Sequence, residues 1–278
     1  MCNPGVDKPT TNRGNVKPTH DDLVGFFMRH VVPVFFTFQK EDEPPKTMMM
    51  TAFVLSVGKQ WFLVTAGHGI DCVKRIATEQ GYATAACYLI DAIRAGAKHR
   101  EPIPFAYARS HPTQLSKSKS FDYGVMALSP YYRELLEKND VEALSEEVWK
   151  CEPSNPDFYV LLGIPGELVE VKAEHLQVAP VLLTVERVDK RPDGFCETEV
   201  PRFYGRIRLE GEISSIKGMS GGPIFAFEQD AQGQLRYWLV ALQTSWLRNS
   251  HYIAGCPTRV LGQALEEFLV SLQNAKHL

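Results

Sequence analysis

The segment Gly218-Met219-Ser220-Gly221-Gly222-Pro223, followed by Ile224-Phe225-Ala226-Phe227, sets a single serine on a glycine-rich turn that feeds an apolar strand. A hydroxyl that is to attack a carbonyl must sit where backbone N–H groups can face the oxyanion that forms. Glycines on both sides let the chain take the tight conformation this needs and let a substrate come close. A glycine-rich turn before a strand is also a common structural device, so the hexapeptide alone leaves both readings open.

Two further segments decide between them. Phe62-Leu63-Val64-Thr65-Ala66-Gly67-His68 ends an apolar strand on small residues and a histidine, a setting from which an imidazole can project as a general base. None of the other seven histidines (His20, His30, His99, His111, His175, His251, His277) has such a setting. Phe121-Asp122-Tyr123-Gly124-Val125-Met126-Ala127-Leu128 opens a strand with an aspartate. Beside an imidazole, that carboxylate fixes the ring tautomer and stabilises the imidazolium. Taken singly, the aspartate reads as an ordinary turn residue. Taken together, the order His68, Asp122, Ser220, each at the edge of an expected strand, is far more specific.

The surrounding chain reads as many short strands. Val31–Phe38 is β-branched and aromatic, and Pro33 argues for an edge position. Met48–Ser56 and Gln60–Thr65 flank Val57-Gly58-Lys59 as a hairpin. Further strands are expected at Tyr123–Leu128, Phe158–Gly163, Leu168–Lys172, Val181–Val185, Phe203–Leu209, Ile224–Phe227 and Trp238–Leu242. Helical periodicity falls on Cys72–Gln80, Tyr131–Val148 and Val260–Asn274. In the last of these, Leu261, Leu265, Phe268, Leu269 and Leu272 share a face. Thr19 with Asp21 and Asp22 marks the start of a short helix over Leu23–Arg29. Residues 1–20 read as a mobile arm, 21–150 as a first lobe with His68 and Asp122, and 151–278 as a second lobe with Ser220.

Composition narrows the partners. With 44% hydrophobic residues among 278 and a net charge of −3, a sizeable core is feasible, and no basic stripe for nucleic acid or an anionic membrane is present. Lys117 and Lys119, set among serines, read as a solvated loop. The longest apolar runs are too short to span a bilayer as a helix. Cys2, Cys72, Cys87, Cys151, Cys196 and Cys256 show no zinc-ligand spacing, and no metal is expected. With no apolar run of signal-peptide length at the N-terminus, free thiols and a cytoplasmic location are expected.

The three segments together resemble the trypsin/chymotrypsin family of serine peptidases. Thr65-Ala66-Gly67-His68 is similar to the family's T-A-A-H, Asp122-Tyr123-Gly124-Val125 to its D-[IL]-A-[VL], and Gly218–Pro223 to its G-D-S-G-G-P. The resemblance runs from about residue 31 to the C-terminal helix and leaves the arm and much of 70–120 unexplained. It implies an all-β chymotrypsin fold of two six-stranded antiparallel Greek-key barrels, with a short N-terminal helix and a C-terminal helix. It implies an endopeptidase acting on protein or peptide substrates without a cofactor. His68, Asp122 and Ser220 would form its catalytic triad, and the N–H groups of Gly218 and Ser220 its oxyanion hole. A catalytically silent scaffold with the same fold is the alternative, and the arm and the 70–120 insertion are where a regulatory protein could act.

Departures from the family carry further expectations. Met219 stands where secreted members have an aspartate that pairs with a newly cut N-terminal amine, and Gly69 stands where a disulfide cysteine follows the histidine. Both losses resemble HtrA-like and other bacterial members, and imply no tryptic-style activation. By the same resemblance Leu239–Ser245 lines the substrate cleft, and the Thr244 hydroxyl supports Asp122. Ser214 would be the floor of the primary pocket and Gly255 part of its wall, with Ser245 and Trp246 beside them. A neutral floor favours an apolar side chain, while Lys217 and Arg248 leave an acidic one open and Trp246 could obstruct the pocket.

Overall fold

A computed structural model describes residues 19–93, 97–115, 120–172, 175–209 and 213–275. The chain enters through α1 (His20–Phe27), where the Thr19 hydroxyl accepts from Asp22 N (3.2 Å) and the Asp22 carboxylate accepts from Thr19 N (2.9 Å). This reciprocal capping satisfies two orphan donors at the helix start that Thr19 and Asp22 announce in the sequence. Residues 1–18 of the expected arm lie outside the described residues.

The strands of the first lobe pair antiparallel. Its strands are β1 (Val34–Lys40), β2 (Glu43–Met50), β3 (Phe53–Val57), β4 (Gln60–Ala66), β5 (Ala83–Leu89), β6 (Ile103–Pro104), β7 (Thr113–Leu115) and β8 (Tyr123–Ala127). They make two four-stranded sheets, ordered β2-β1-β5-β6 and β3-β4-β8-β7. Phe36, Phe38, Val54, Leu63, Leu89 and Met126 from both sheets share one core. The β3–β4 turn carries positive φ at both Gly58 and Lys59, which matches the right-handed twist of a two-residue hairpin. Helix α2 (Gly67–Thr78) leaves β4 directly.

After α3 (Pro130–Lys138) and α4 (Glu146–Trp149) come β9 (Phe158–Gly163), β10 (Val169–Lys172), β11 (His175–Val178), β12 (Val181–Arg187), β13 (Phe203–Ile207), β14 (Pro223–Gln229), β15 (Leu235–Leu247) and β16 (Tyr252–Pro257). Six of these close into a barrel, β12-β13-β16-β15-β14-β9, and β10–β11 form a separate hairpin. The barrel interior holds Leu161, Ile216, Met219, Ile224 and Trp238. A third apolar cluster joins the lobes: Phe53, Leu55 and Val64 from the first meet Leu162, Phe225, Leu239 and Leu242 from the second. Phe27, Trp149, Leu261 and Leu265 close it, the last two from α5 (Thr258–Ala275).

Several expectations need correction. β1 lies between β2 and β5 rather than at an edge, because Pro33 sits just before the strand, where its missing N–H costs no ladder bond. The apolar run Met48–Ser56 is two strands broken at Thr51-Ala52, and the expected helix Tyr131–Val148 is two helices. Asn139 and Asp140 interrupt the latter: Asp140 has φ +55°, and the Asn139 amide donates to Asp91 (2.9 Å) and to His99 O (3.0 Å). Cys72, Cys87, Cys196 and Cys256 are free thiols, and burial pushes Cys87 up to about 12. Cys151 is disulfide-bonded, contrary to the expected free thiol. No helix among the described residues is long and apolar enough to cross a membrane.

His30 is buried against the chain that follows α3, its Nδ1 2.8 Å from Glu142 O, and burial lowers its pKa from 6.5 to about 4. The unfolded chain therefore binds this proton where the folded one does not. Stability should fall between pH 6.5 and about 4, by on the order of 3 kcal/mol. Urea titrations across that range should show the slope, and His30→Gln should flatten it.

Candidate active site

Pairing of β4 with β8 sets Ala66 opposite Tyr123 and so brings the residues just beyond, His68 and Asp122, side by side. His68 lies in the first turn of α2 rather than on the strand end, because the helix begins already at Gly67. Its Nδ1 is 2.7 Å from Asp122 Oδ2, and its backbone N–H donates to Asp122 Oδ1 at 2.8 Å. A carboxylate oxygen accepts, so Nδ1 is the donor in this contact. The His68 side chain is 50% exposed against 21% for Asp122, which leaves the ring tip open and its partner sheltered.

The second lobe braces that aspartate from behind. Tyr123 Oη donates to Pro257 O (2.7 Å), while Arg202 Nε and Nη2 both donate to Ser120 O (3.3 Å each). Glu199 N donates to Ser120 Oγ at 3.0 Å. Asp122 is thus held between two residues that are each tied across the lobe boundary.

The turn that carries Ser220 is fixed through its carbonyls. Lys217 O accepts from Gly166 N (2.6 Å), Gly218 O from Thr51 Oγ1 (2.8 Å) and Met219 O from Gly222 N (2.8 Å). In a trans peptide the following N–H points away from the carbonyl, so three successive peptide planes are set. The Met219 N–H turns inward to Ile216 O (3.0 Å). Among the described residues, neither the Gly218 nor the Ser220 N–H donates to a protein acceptor.

Backbone at φ +98° and +96° makes glycine the fitting residue at 218 and 221. A β-carbon at 221 would also lie 2.2 Å from Thr51 O and 2.5 Å from Thr65 Oγ1. The residue after Ser220 therefore presses on the end of β4, two to three residues before His68. Ser220 itself is half-buried. The serine turn and the strand that leads to His68 therefore lie against each other where the lobes meet.

Met219 is fully buried in the barrel interior. Gly163 makes room for it: a β-carbon there would lie 3.1–3.2 Å from Met219 Cβ, Cγ and Cε. The position is an apolar anchor with no place for an ion pair.

The residues expected around a primary pocket differ in burial and in partners. Ser214 is exposed, and its N–H and hydroxyl donate to the Glu167 carboxylate at 2.7 and 2.8 Å. Ser215 N adds a third bond to Glu167 at 3.1 Å; these bonds, with Arg248 nearby, hold that carboxyl below the usual range. Gly255 is buried inside β16, paired with Phe203 and Gln243. Thr244 is buried too, and its hydroxyl donates to Ala254 O (3.3 Å) rather than to Asp122. Ser245 pairs with Ala254, and Trp246 is half-buried on the barrel interior. Sequence reading missed Thr51, Glu167 and Arg202. Thr51 alone left a signal, as a polar residue inside the apolar run Met48–Ser56.

No protein-family model matches this chain, and a search of curated proteins also finds no match. Similar folds exist among solved structures. The scabies mite inactivated protease paralogue S-I1 is 14% identical with a TM-score of 0.50, over 86% of this chain and 94% of that one. The thermostable serine protease AL20 from an extremophilic microorganism is 12% identical with a TM-score of 0.44, over 83% and 91%. Protease Anisep from Arthrobacter nicotinovorans is 14% identical with a TM-score of 0.41, over 82% and 90%. The fold is that of the trypsin/chymotrypsin-like proteases.

Two substitutions probe how the loop is held. Thr51→Val removes the donor to Gly218 O and should cost about 1–3 kcal/mol in urea unfolding, as expected for a buried acceptor left unpaired. Met219→Asp buries a lone charge and should cost about 3–5 kcal/mol in the same assay.

Proposed function

We propose that the protein is a serine endopeptidase that hydrolyses peptide bonds in protein substrates through Ser220, His68 and Asp122. The observation that carries this reading is the Nδ1–Oδ2 contact of 2.7 Å between His68 and Asp122, on a protease fold whose serine turn abuts the same strand. As Ser220 Oγ bonds to the scissile carbonyl carbon, its proton passes to His68 Nε2, and the carbonyl π electrons move onto oxygen. The N–H groups of Gly218 and Ser220 stabilise that oxyanion. Collapse of the tetrahedral species breaks the C–N bond, and His68 hands its proton to the leaving amine. Water then repeats the sequence on the acyl-enzyme, releasing the carboxylic acid and restoring the serine. Asp122 stays ionised and holds the imidazolium through Nδ1.

A second reading is a silent scaffold, favoured by the likeness to a protease paralogue described as inactivated. A fluorophosphonate probe separates the two. On the enzyme reading it labels the wild type, and Ser220→Ala abolishes labelling and peptide turnover while circular dichroism stays unchanged. Asp122→Asn should lower kcat by on the order of 10⁴, through the wrong histidine tautomer. A folded wild type that stays unlabelled under every condition belongs to the scaffold.

A further inference from the structure

We propose that Glu167 is a positioning residue: its carboxylate clamps the segment Ser214–Lys217 and thereby orients the Gly218 N–H at the oxyanion site. The inference rests on the serine peptidase reading and names the element that keeps that site assembled.

Glu167 sits in a single 3₁₀ turn, Gly166–Leu168, that leaves the end of β9. One carboxylate oxygen accepts the Ser214 and Ser215 N–H groups (2.7 and 3.1 Å), and the other accepts the Ser214 hydroxyl (2.8 Å). The same turn reaches the nucleophile loop directly, because Gly166 N donates to Lys217 O at 2.6 Å. Packing confirms how closely the two backbones meet. A β-carbon on Gly218 would lie 2.8 Å from Gly166 N, and one on Gly166 would lie 3.3 Å from Lys217 O.

The consequence concerns one peptide plane. The carbonyl of Lys217 and the N–H of Gly218 belong to the same trans peptide, so holding the carbonyl against Gly166 turns the N–H to the opposite side. Rotation of this peptide would withdraw one oxyanion donor. Residues 214 and 215 lie just upstream and would move with it, and three charge-assisted bonds to Glu167 resist that movement. No buried ion pair forms inside this loop, since its centre, Met219, is apolar and fully buried. A surface carboxylate therefore supplies the directional bonds, and Met219 supplies the anchor beneath them.

The test uses the full chain with Glu167→Ala and Glu167→Gln. Hydrogen exchange should show the Ser214 and Ser215 amides about tenfold less protected in Glu167→Ala than in wild type, with Glu167→Gln between, since an amide oxygen still accepts. Fluorophosphonate kinetics should show kinact lowered about tenfold to a hundredfold in Glu167→Ala, with KI changed less than about threefold. Unchanged exchange overturns the clamp. Altered exchange with an unchanged kinact overturns the positioning role, as does a loss confined to KI, which would make Glu167 a binding residue instead. A wild type that never labels removes the peptidase reading and the catalytic half of this proposal with it. The exchange measurement still decides whether the carboxylate holds the loop. Glu167→Gln, which keeps the side-chain volume, guards against a loss of labelling caused by misfolding of the alanine variant.

Discussion

A short stretch of backbone carbonyls governs the geometry of this molecule. Lys217, Gly218 and Met219 each have their oxygen taken, by Gly166, Thr51 and Gly222 respectively. Thr51 is the member that crosses between lobes. Its hydroxyl donates to Gly218 O, and it accepts from Ile164 N at 3.3 Å, while its own carbonyl takes the Thr65 hydroxyl at 2.7 Å. One residue at a strand break, through its hydroxyl and its carbonyl, thus touches the serine turn, the segment after β9 and the strand that leads to His68. The serine-bearing lobe cannot shift against the histidine-bearing lobe without disrupting this buried set, and buried polar groups are costly to leave unpaired.

The loop gains its order from within the fold. Met219 fills space left by Gly163, so the centre of the turn is held by packing, with no charged group buried. Asp122 is treated in a comparable way: Ser120 and Tyr123 on its two sides are both bonded to the second lobe. The proposed site is therefore assembled on rigid elements with supporting bonds at each of its three corners. That is the arrangement acyl transfer requires, because small displacements of the reacting groups are costly.

Much of this was legible in the sequence. β9 was expected over Phe158–Gly163 and lies there, and the Gly58-Lys59 hairpin and the C-terminal helix also fall where periodicity placed them. Strong alternation and turn chemistry explain those successes. β5 and β16 were not anticipated: Ala83–Leu89 and Tyr252–Pro257 carry small or mixed residues whose strand state is imposed by neighbouring ladders. Thr51 stands out as a polar residue in an apolar run, but its bonds lay hidden because nothing local marks a partner more than a hundred positions away. Glu167 was equally invisible, since a glutamate after a proline-glycine pair reads as solvated. The pocket assignments rested on alignment alone. Thr244 shows the cost: it falls at the bulge between Gln243 and Ser245, where local backbone geometry and not motif decides that its hydroxyl meets Ala254 O.

The apolar cluster shared by the two lobes has a mechanical meaning. Phe53 and Leu55 of one half and Phe225 and Leu239 of the other are interior residues of the same body, sealed by α1 and α5. Halves joined only by a linker and a wet interface swing relative to each other, whereas a large dry seam suppresses such hinging. The serine turn and the strand that leads to His68 are consequently held at a separation that packing sets.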